Sequence, residues 1–313
     1  MEPTIKLKEK FCKDCNIPIR IYQEPYFTDR LKLYDRFYGT LEKWSIFVKE
    51  LEKYSNEQEY FEEYNKVKDA AINYIKSTEA YQKLNEEDMS KYAIKFQGLQ
   101  SKDIFHSSND GRTFISIDMK KANFTSLHFY NKRMFGNAEN WEEFIGMFTE
   151  NKHIINSKYI RQVILGNCNP KRHITYEKYL MDRILDIFKN HMGVGRVVSL
   201  SNDEIIYDIT DCEDKMKFYD MVKGTKIFVS IPLKIECFTL HKIVGTNGYY
   251  KEIYKENGQK EIEFKGLDNL YLPFVIRHFL EEEVTDSDKV FYHNGLLAQF
   301  VEVPEIEVNL NGN

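Results

Sequence analysis

Apolar side chains recur every three or four positions over 29–54, at Leu31, Tyr34, Phe37, Leu41, Trp44, Val48 and Leu51. That spacing predicts an amphipathic helix interrupted at Gly39. A second stripe over 56–76, carrying Tyr60, Tyr64, Val67, Ala71, Tyr74 and Ile75, predicts another. Residues 1–28, punctuated by Pro18 and Pro25, read as irregular. The pattern then changes. The run Thr-Phe-Ile-Ser-Ile-Asp at 113–118 is short and β-rich and follows Asn109-Asp110-Gly111, so a strand is expected. Helical spacing returns over 122–190, clearest near 141–148, 158–165 and 176–189. Two short apolar runs at 196–200 and 205–209, joined by Ser201-Asn202-Asp203-Glu204, predict paired strands. A helix over 212–222 and strands at 226–231 and 235–240 follow. Last come a hairpin (249–254 with 261–264, turned at Asn257-Gly258), a helix near 274–282 and further strand.

Stripped of insertions, 113–240 reads β-α-β-β-α-β, the split βαβ or ferredoxin-like unit. The expected fold class is therefore α+β: a ferredoxin-like core with an N-terminal helical region and a small C-terminal α/β element. The expected division is 1–100, mainly helical; 101–245, the core with a helical insertion; and 246–313, a hairpin, a helix and an acidic tail. Many unrelated functions share this unit, so the fold alone decides nothing.

Composition narrows the class. The 313 residues are 42% hydrophobic and 14% aromatic, which excludes a wholly disordered chain. No run approaches the roughly 18 apolar residues of a membrane helix, and the charged start MEPTIKLKEK lacks the apolar region of a signal peptide. A soluble cytoplasmic protein with no membrane partner is expected, in a host cytoplasm if the source is viral. Abundant Lys, Asn, Ile and Tyr hint at an AT-rich, viral-type genome. Five scattered cysteines suit a reducing compartment. Cys12 and Cys15 have the C-x2-C spacing of a zinc ligand pair, but no second pair or His pair follows at finger-like distance. No phosphate-binding glycine loop, G-x-S-x-G elbow or H-E-x-x-H motif occurs.

Charge is uneven. The net charge is −5, which on its face argues against nucleic acid. Yet 41–92 holds twelve acidic and eight basic residues, whereas 151–200 holds nine basic against three acidic. That basic stretch suits a phosphate backbone, and Lys171 and Arg172, in an expected exposed turn over 169–173, are candidate nucleic-acid contacts. From Glu281 onward eight acidic residues face a single Lys289, a tail expected to be solvated or to dock on a basic protein partner.

The candidate chemistry rests on carboxylates. Asp118 ends the first strand of the split unit, and Asp203 lies in the turn between the second and third. Because the first and third strands are neighbours in this topology, both carboxylates converge at one end of the sheet. Converging carboxylates suit a hard divalent cation such as magnesium, and two-metal sites of this kind serve phosphoryl transfer. The plainer alternative is turn chemistry, for which Asn and Asp are favoured.

The segment Phe114-Ile-Ser-Ile-Asp118-Met-Lys-Lys-Ala-Asn123-Phe124 resembles motif A of the palm domains of single-subunit nucleic-acid polymerases. Val197-Val-Ser-Leu-Ser-Asn-Asp203-Glu204 followed by an apolar strand resembles motif C, in the form seen in polymerase I-like DNA polymerases. The spacing between the two is nearer that of reverse transcriptases. Ser157-Lys158-Tyr-Ile-Arg161 resembles motif B. The resemblance covers roughly 110–245 and its motifs are short. It implies a nucleotidyltransferase, DNA polymerase-like, extending a primer, template-bound or single strand from nucleoside triphosphates with magnesium, or manganese in its place. It makes Asp118 and Asp203 the metal ligands with Glu204 beside them, all three catalytic. Lys158 and Arg161 would hold the triphosphate. Asn123, with Phe124 next to it, would stand at the sugar-discriminating position, where a large side chain is usual. Lys265, after the late hairpin, would touch a primer phosphate from a thumb-like element. Two other readings compete: a metal-dependent nuclease with an RNase H-like sheet, disfavoured because helices follow Asp118 at once, and a non-enzymatic nucleic-acid or protein binding module.

Overall fold

The computed structural model describes residues 1–99 and 102–308. The expected boundary at 100/101 and the last five residues of the expected tail lie outside them.

Five helices lead: α1 Ile5–Asp14, α2 Tyr26–Tyr38, α3 Thr40–Leu51, α4 Glu57–Ser77 and α5 Glu79–Glu86. The periodic stripes become α2 to α4. Gly39, with φ +57°, takes the left-handed conformation that ends α2 and starts α3, and the Asn56 side chain accepts from the Glu59 amide to cap α4. Helix α1 corrects the irregular reading of 1–28. The Thr4 hydroxyl accepts from Leu7 N to start it, and Leu7 and Phe11, four apart, are buried.

Strand β1, Thr113–Met119, follows. Then come α6 Ala122–Asn131, α7 Trp141–Gly146, α8 Lys152–Asn156, α9 Lys158–Gly166 and α10 Pro170–Met192. Strands β2 Val197–Leu200 and β3 Glu204–Asp208 lead to α11 Lys215–Thr225 and β4 Leu233–Lys242. Residues 226–231 hold no strand. Lys226–Phe228 forms a tight turn continuing α11, and Pro232, which has no N–H to give a ladder, stands just before β4. The chain closes with β5 Tyr249–Tyr254, β6 Lys260–Lys265, α12 Leu272–Leu280, α13 Asp286–Lys289, β7 Val290–His293 and β8 Leu296–Gln299.

One mixed helix-and-sheet architecture results. The main sheet is antiparallel with six strands in the order β2-β3-β1-β4-β5-β6, and β7-β8 form a separate pair. Strands β1 and β3 are neighbours. The late hairpin is not a separate thumb-like element. Ten-residue β4 pairs with β1 along one edge and with β5 along the other, so β5 and β6 widen the sheet.

Alternation gives the sheet two faces. Ile115, Ile117, Tyr207 and Cys237 pack on α10 and α11 through Leu180, Ile184, Phe188 and Val222. The opposite face carries Phe114, Ile206, Phe238 and Ile253 at its centre, with Ser116, Asp118, Glu204 and Glu236 toward one end. The leading helices and α6–α9 share a single buried cluster, including Phe11, Phe47, Trp141 and Phe144, so the helical insertion packs as part of the N-terminal helical layer. The acidic tail is tied to the chain itself. Buried Asp288 accepts from Arg30 Nη1 at 3.0 Å and from Arg277 Nε at 2.9 Å.

Candidate active site at the acidic end of the sheet

Register places the carboxylates. Asp118 stands directly opposite Glu204 on β3 and opposite Lys234 on β4, so the three side chains leave one face, each flanking Cβ about 5 Å from that of Asp118. The Asp203 carbonyl accepts from Met119 N at 2.8 Å, which seats the turn beside Asp118. The turn is closed by Ser201. Its hydroxyl accepts from Glu204 N at 3.0 Å and donates to Asp203 Oδ1 at 3.1 Å. Glu204 accepts from the Ser116 hydroxyl, and Lys234 pairs with Glu236 at 2.7 Å.

Asp118 is the electrostatic odd member. Its carboxylate has no hydrogen-bond partner among the described residues, and its pKa is pushed up to about 7. Burial is the main cause, followed by Glu204 and Asp203, with Lys234 the opposing charge and Glu236 adding to the crowd. The same face carries Lys251, opposite Glu263 on β6 and lying 4.3 Å over the Phe238 ring. Burial lowers its pKa, with Glu204 the strongest opposing influence.

Among the described residues no three His, Cys, Asp or Glu side chains converge to enclose a metal ion. What the sheet presents is two facing carboxylates, Asp118 and Glu204, with Asp203 adjoining. All are hard oxygen donors. Magnesium is commonly held by one or two carboxylates, with water and substrate phosphates completing its shell, and this donor set fits that manner of binding.

The other expected site residues separate. Lys158, exposed at the start of α9, lines an open cleft together with Tyr159 and Gln162. Arg161 does not line it. Partly buried, its pKa is lowered by burial, with Glu142 opposing, and its Nε has no hydrogen-bond partner among the described residues. Glu142 in turn pairs with Lys121, in the loop after Asp118. Asn123 Oδ1 accepts from the Phe124 amide at 2.9 Å, at the start of α6. Phe124 is a core residue, 5% exposed, its ring packed on Phe135 and Trp141, so it offers no surface to a sugar.

The expected exposed turn at 169–173 is the start of a 23-residue helix, with Pro170 in its first turn. Arg172 Nη1 donates to Leu84 O at 2.8 Å and Glu87 O at 2.7 Å, closing the end of α5. Only Lys171 of that pair is exposed. Lys265 lines the cleft and pairs with Glu263 at 2.7 Å. Cys12 is buried and Cys15 partly so, with both thiol pKa values raised, chiefly by burial, that of Cys15 to about 12. These are neutral thiols.

The cleft itself was not foreseen. It encloses about 860 Å³ between α1–α3, α9 and β6, and its lining includes Lys13, Arg20, Lys43, Lys158, Lys234 and Lys265 against Glu9, Glu261 and Glu263. Lys234 joins it to the carboxylates, being the register partner of Asp118. The one sequence signal for this was the charged Lys234-x-Glu236 alternation at the start of β4.

Fold and site together define a mixed helix-and-sheet chain with a carboxylate cluster at one end of an antiparallel sheet and a basic cleft next to it. No family model, curated protein or solved structure matches the chain. No helix among the described residues is long and apolar enough to cross a membrane.

Proposed function

We propose that this chain is a nucleotidyltransferase that extends a nucleic-acid strand from nucleoside triphosphates, with a ferredoxin-like palm as its catalytic core. The observation that carries the reading is the in-register pair Asp118–Glu204, with Asp203 alongside, on the two central strands of the split unit and next to a basic cleft. The order β2-β3-β1-β4 with antiparallel pairing throughout supports it, being the order of a split βαβ sheet.

In this reading the facing carboxylates Asp118 and Glu204, with Asp203 adjoining, would provide one or two ligands to magnesium, or manganese in its place, with water and substrate phosphate completing the shell. The bound cation supplies charge neutralisation and activation of the attacking oxygen in phosphoryl transfer. Lys234, fixed by Glu236, stands where developing negative charge beside Asp118 needs a partner. The Ser201 and Ser116 hydroxyls orient Asp203 and Glu204, so that the carboxylates are set before substrate arrives. Lys121 and Arg161, around Glu142 next to the Asp118 loop, supply cations for a triphosphate. Phe124 has no direct part, and sugar choice falls to Asn123 and the loop that carries it.

Incorporation of each labelled NTP and dNTP on single strands and primed templates, in magnesium and in manganese, tests the reading. Asp118→Asn is expected to lower incorporation by about a hundred- to a thousandfold with the circular dichroism spectrum unchanged, the scale seen when an electrostatic catalytic group is removed. Full incorporation by that variant would sink the proposal.

A further inference from the structure

The cleft gathers cations that have no carboxylate partner. Only some of its lysines lie within ion-pair distance of a carboxylate, as Lys234 and Lys265 do. Lys13, Arg20, Lys43 and Lys158, all exposed, make no ion pair among the described residues. They come from α1, the segment after it, α3 and α9, and the fold brings all four to one cavity. Four cations without a carboxylate partner thus line one cavity, and an anionic ligand would supply the missing counter-charge.

The rest of the lining suggests which anion. Half-buried rings alternate with the charges: Tyr159 lies under the Lys13 ammonium, 4.6 Å from it, and Phe37 packs against Phe264 with centroids 5.2 Å apart. Cations interleaved with aromatic faces are the means by which proteins hold single strands, the cations tracking phosphates and the rings stacking bases. At about 860 Å³ the cavity is near the top of the range for small-ligand sites, roughly 300–1,000 Å³. It has room for a few nucleotides of one strand and none for a duplex.

From these observations we infer that the cleft is the bed of a single-stranded nucleic acid, its phosphates on Lys13, Arg20, Lys43 and Lys158 and its bases against Tyr159 and Phe264. The direction of the strand rests on the nucleotidyltransferase reading: Lys234, which lines the cleft and pairs in register with Asp118, brings the strand's end to the carboxylates. Occupancy of the cleft does not rest on it.

Fluorescence anisotropy of the full chain with a labelled oligothymidylate of about a dozen nucleotides, without divalent ions or nucleotides, tests the inference. The single strand is expected to bind more tightly than a duplex of equal length. Its log affinity should fall against log salt with a slope of about −0.7 per phosphate engaged, hence about −2 to −3 for three or four contacts. The double variant Lys13→Glu, Lys158→Glu should lose at least about tenfold in affinity and flatten that slope. Lys66→Glu, exposed on α4 and outside the cleft, should change affinity less than about twofold. No binding by the unaltered chain, preference for duplex, an equal loss in Lys66→Glu, or displacement by tripolyphosphate at equal phosphate concentration would each overturn it. Strand binding without incorporation overturns the nucleotidyltransferase reading alone, and incorporation with the double variant still binding normally overturns the cleft assignment alone.

Discussion

Two aspartates, Asp14 and Asp118, are withdrawn from water in this molecule, and their surroundings treat them in opposite ways. Asp14 is fully buried where α1, α4, α8 and α9 meet, and both of its oxygens are engaged. Oδ1 accepts from Tyr64 at 3.0 Å and Ser157 at 2.9 Å and pairs with Lys10, while Oδ2 lies 3.1 Å from His153 Nε2. Burial works against its charge, but the hydrogen bonds and charges of His153 and Lys10 outweigh it and hold its pKa below the ordinary value. Asp118 is less buried, has no hydrogen-bond donor among the described residues, and faces other carboxylates. The difference separates two uses of a carboxylate. Asp14 is compensated by its own fold and stabilises it; Asp118 is left short of positive charge, which makes its neighbourhood a place for a cation.

The largest expected effect lies at the compensated site. Asp14→Ala leaves Lys10 and His153 facing each other without their anion, a loss of about 3–5 kcal/mol for breaking a buried pair. Urea denaturation at pH 7 reads it directly. The sign with pH follows from the depressed pKa. The contribution of Asp14 is present above the unfolded-state value near 3.8 and lost as pH falls through the folded value, so variant and parent should converge in acid. A variant as stable as the parent at neutral pH would remove the contrast with Asp118.

At the uncompensated site the sign reverses. With a folded pKa of about 7 against 3.8 in the ordinary state, Asp118 contributes stability that is fully present below about pH 3.8 and lost as pH rises through 7. Asp118→Asn should therefore match the parent near pH 4 and melt about 1.5 °C higher at pH 8, the response to about 1 kcal/mol of relieved repulsion once solvent screening is allowed for. Millimolar magnesium should raise the parent's Tm at pH 8 more than at pH 5.5 and leave the variant nearly unmoved, since a cation that binds only the folded state stabilises it by mass action. A variant that melts lower than the parent at pH 8 would place Asp118 with Asp14, among structural carboxylates.

The acidic end of the sheet was legible in the sequence because its signals are local. A β-rich run ending in Asp118 and a polar turn ending in Asp203-Glu204 each announce themselves within about ten residues, and topology alone then sets them side by side. The cleft was not legible, because Lys13, Lys43, Lys158 and Lys265 come from four distant segments and no spacing relates them. Pairing partners were equally hidden: nothing in 249–265 says that β5 continues β4 rather than standing apart as a thumb. Burial misled at Phe124, where a motif position is filled by a core ring, and in the tail, whose Asp288 is claimed by Arg30 and Arg277. At 226–231 an apolar, β-branched run was read as a strand, although α11 continues into it and Pro232 cuts it off.

Arg172 extends the comparison from anions to cations and carries the smallest expected effect. By composition it belongs with Lys158, as one more positive charge in the basic stretch between Asp118 and Asp203. By contact it belongs with Asp14, since its guanidinium is committed to the Leu84 and Glu87 carbonyls that end α5. Arg172→Ala should cost about 1–2 kcal/mol, the scale of two such hydrogen bonds less the water that replaces them. Single-strand affinity should stay within about twofold of the parent, in contrast to the loss expected at Lys13 and Lys158. Denaturation and anisotropy on the one variant read both quantities. A tenfold loss of strand affinity at unchanged stability would mean that commitment to the fold does not sort the charges of this chain, and would return Arg172 to the nucleic-acid surface.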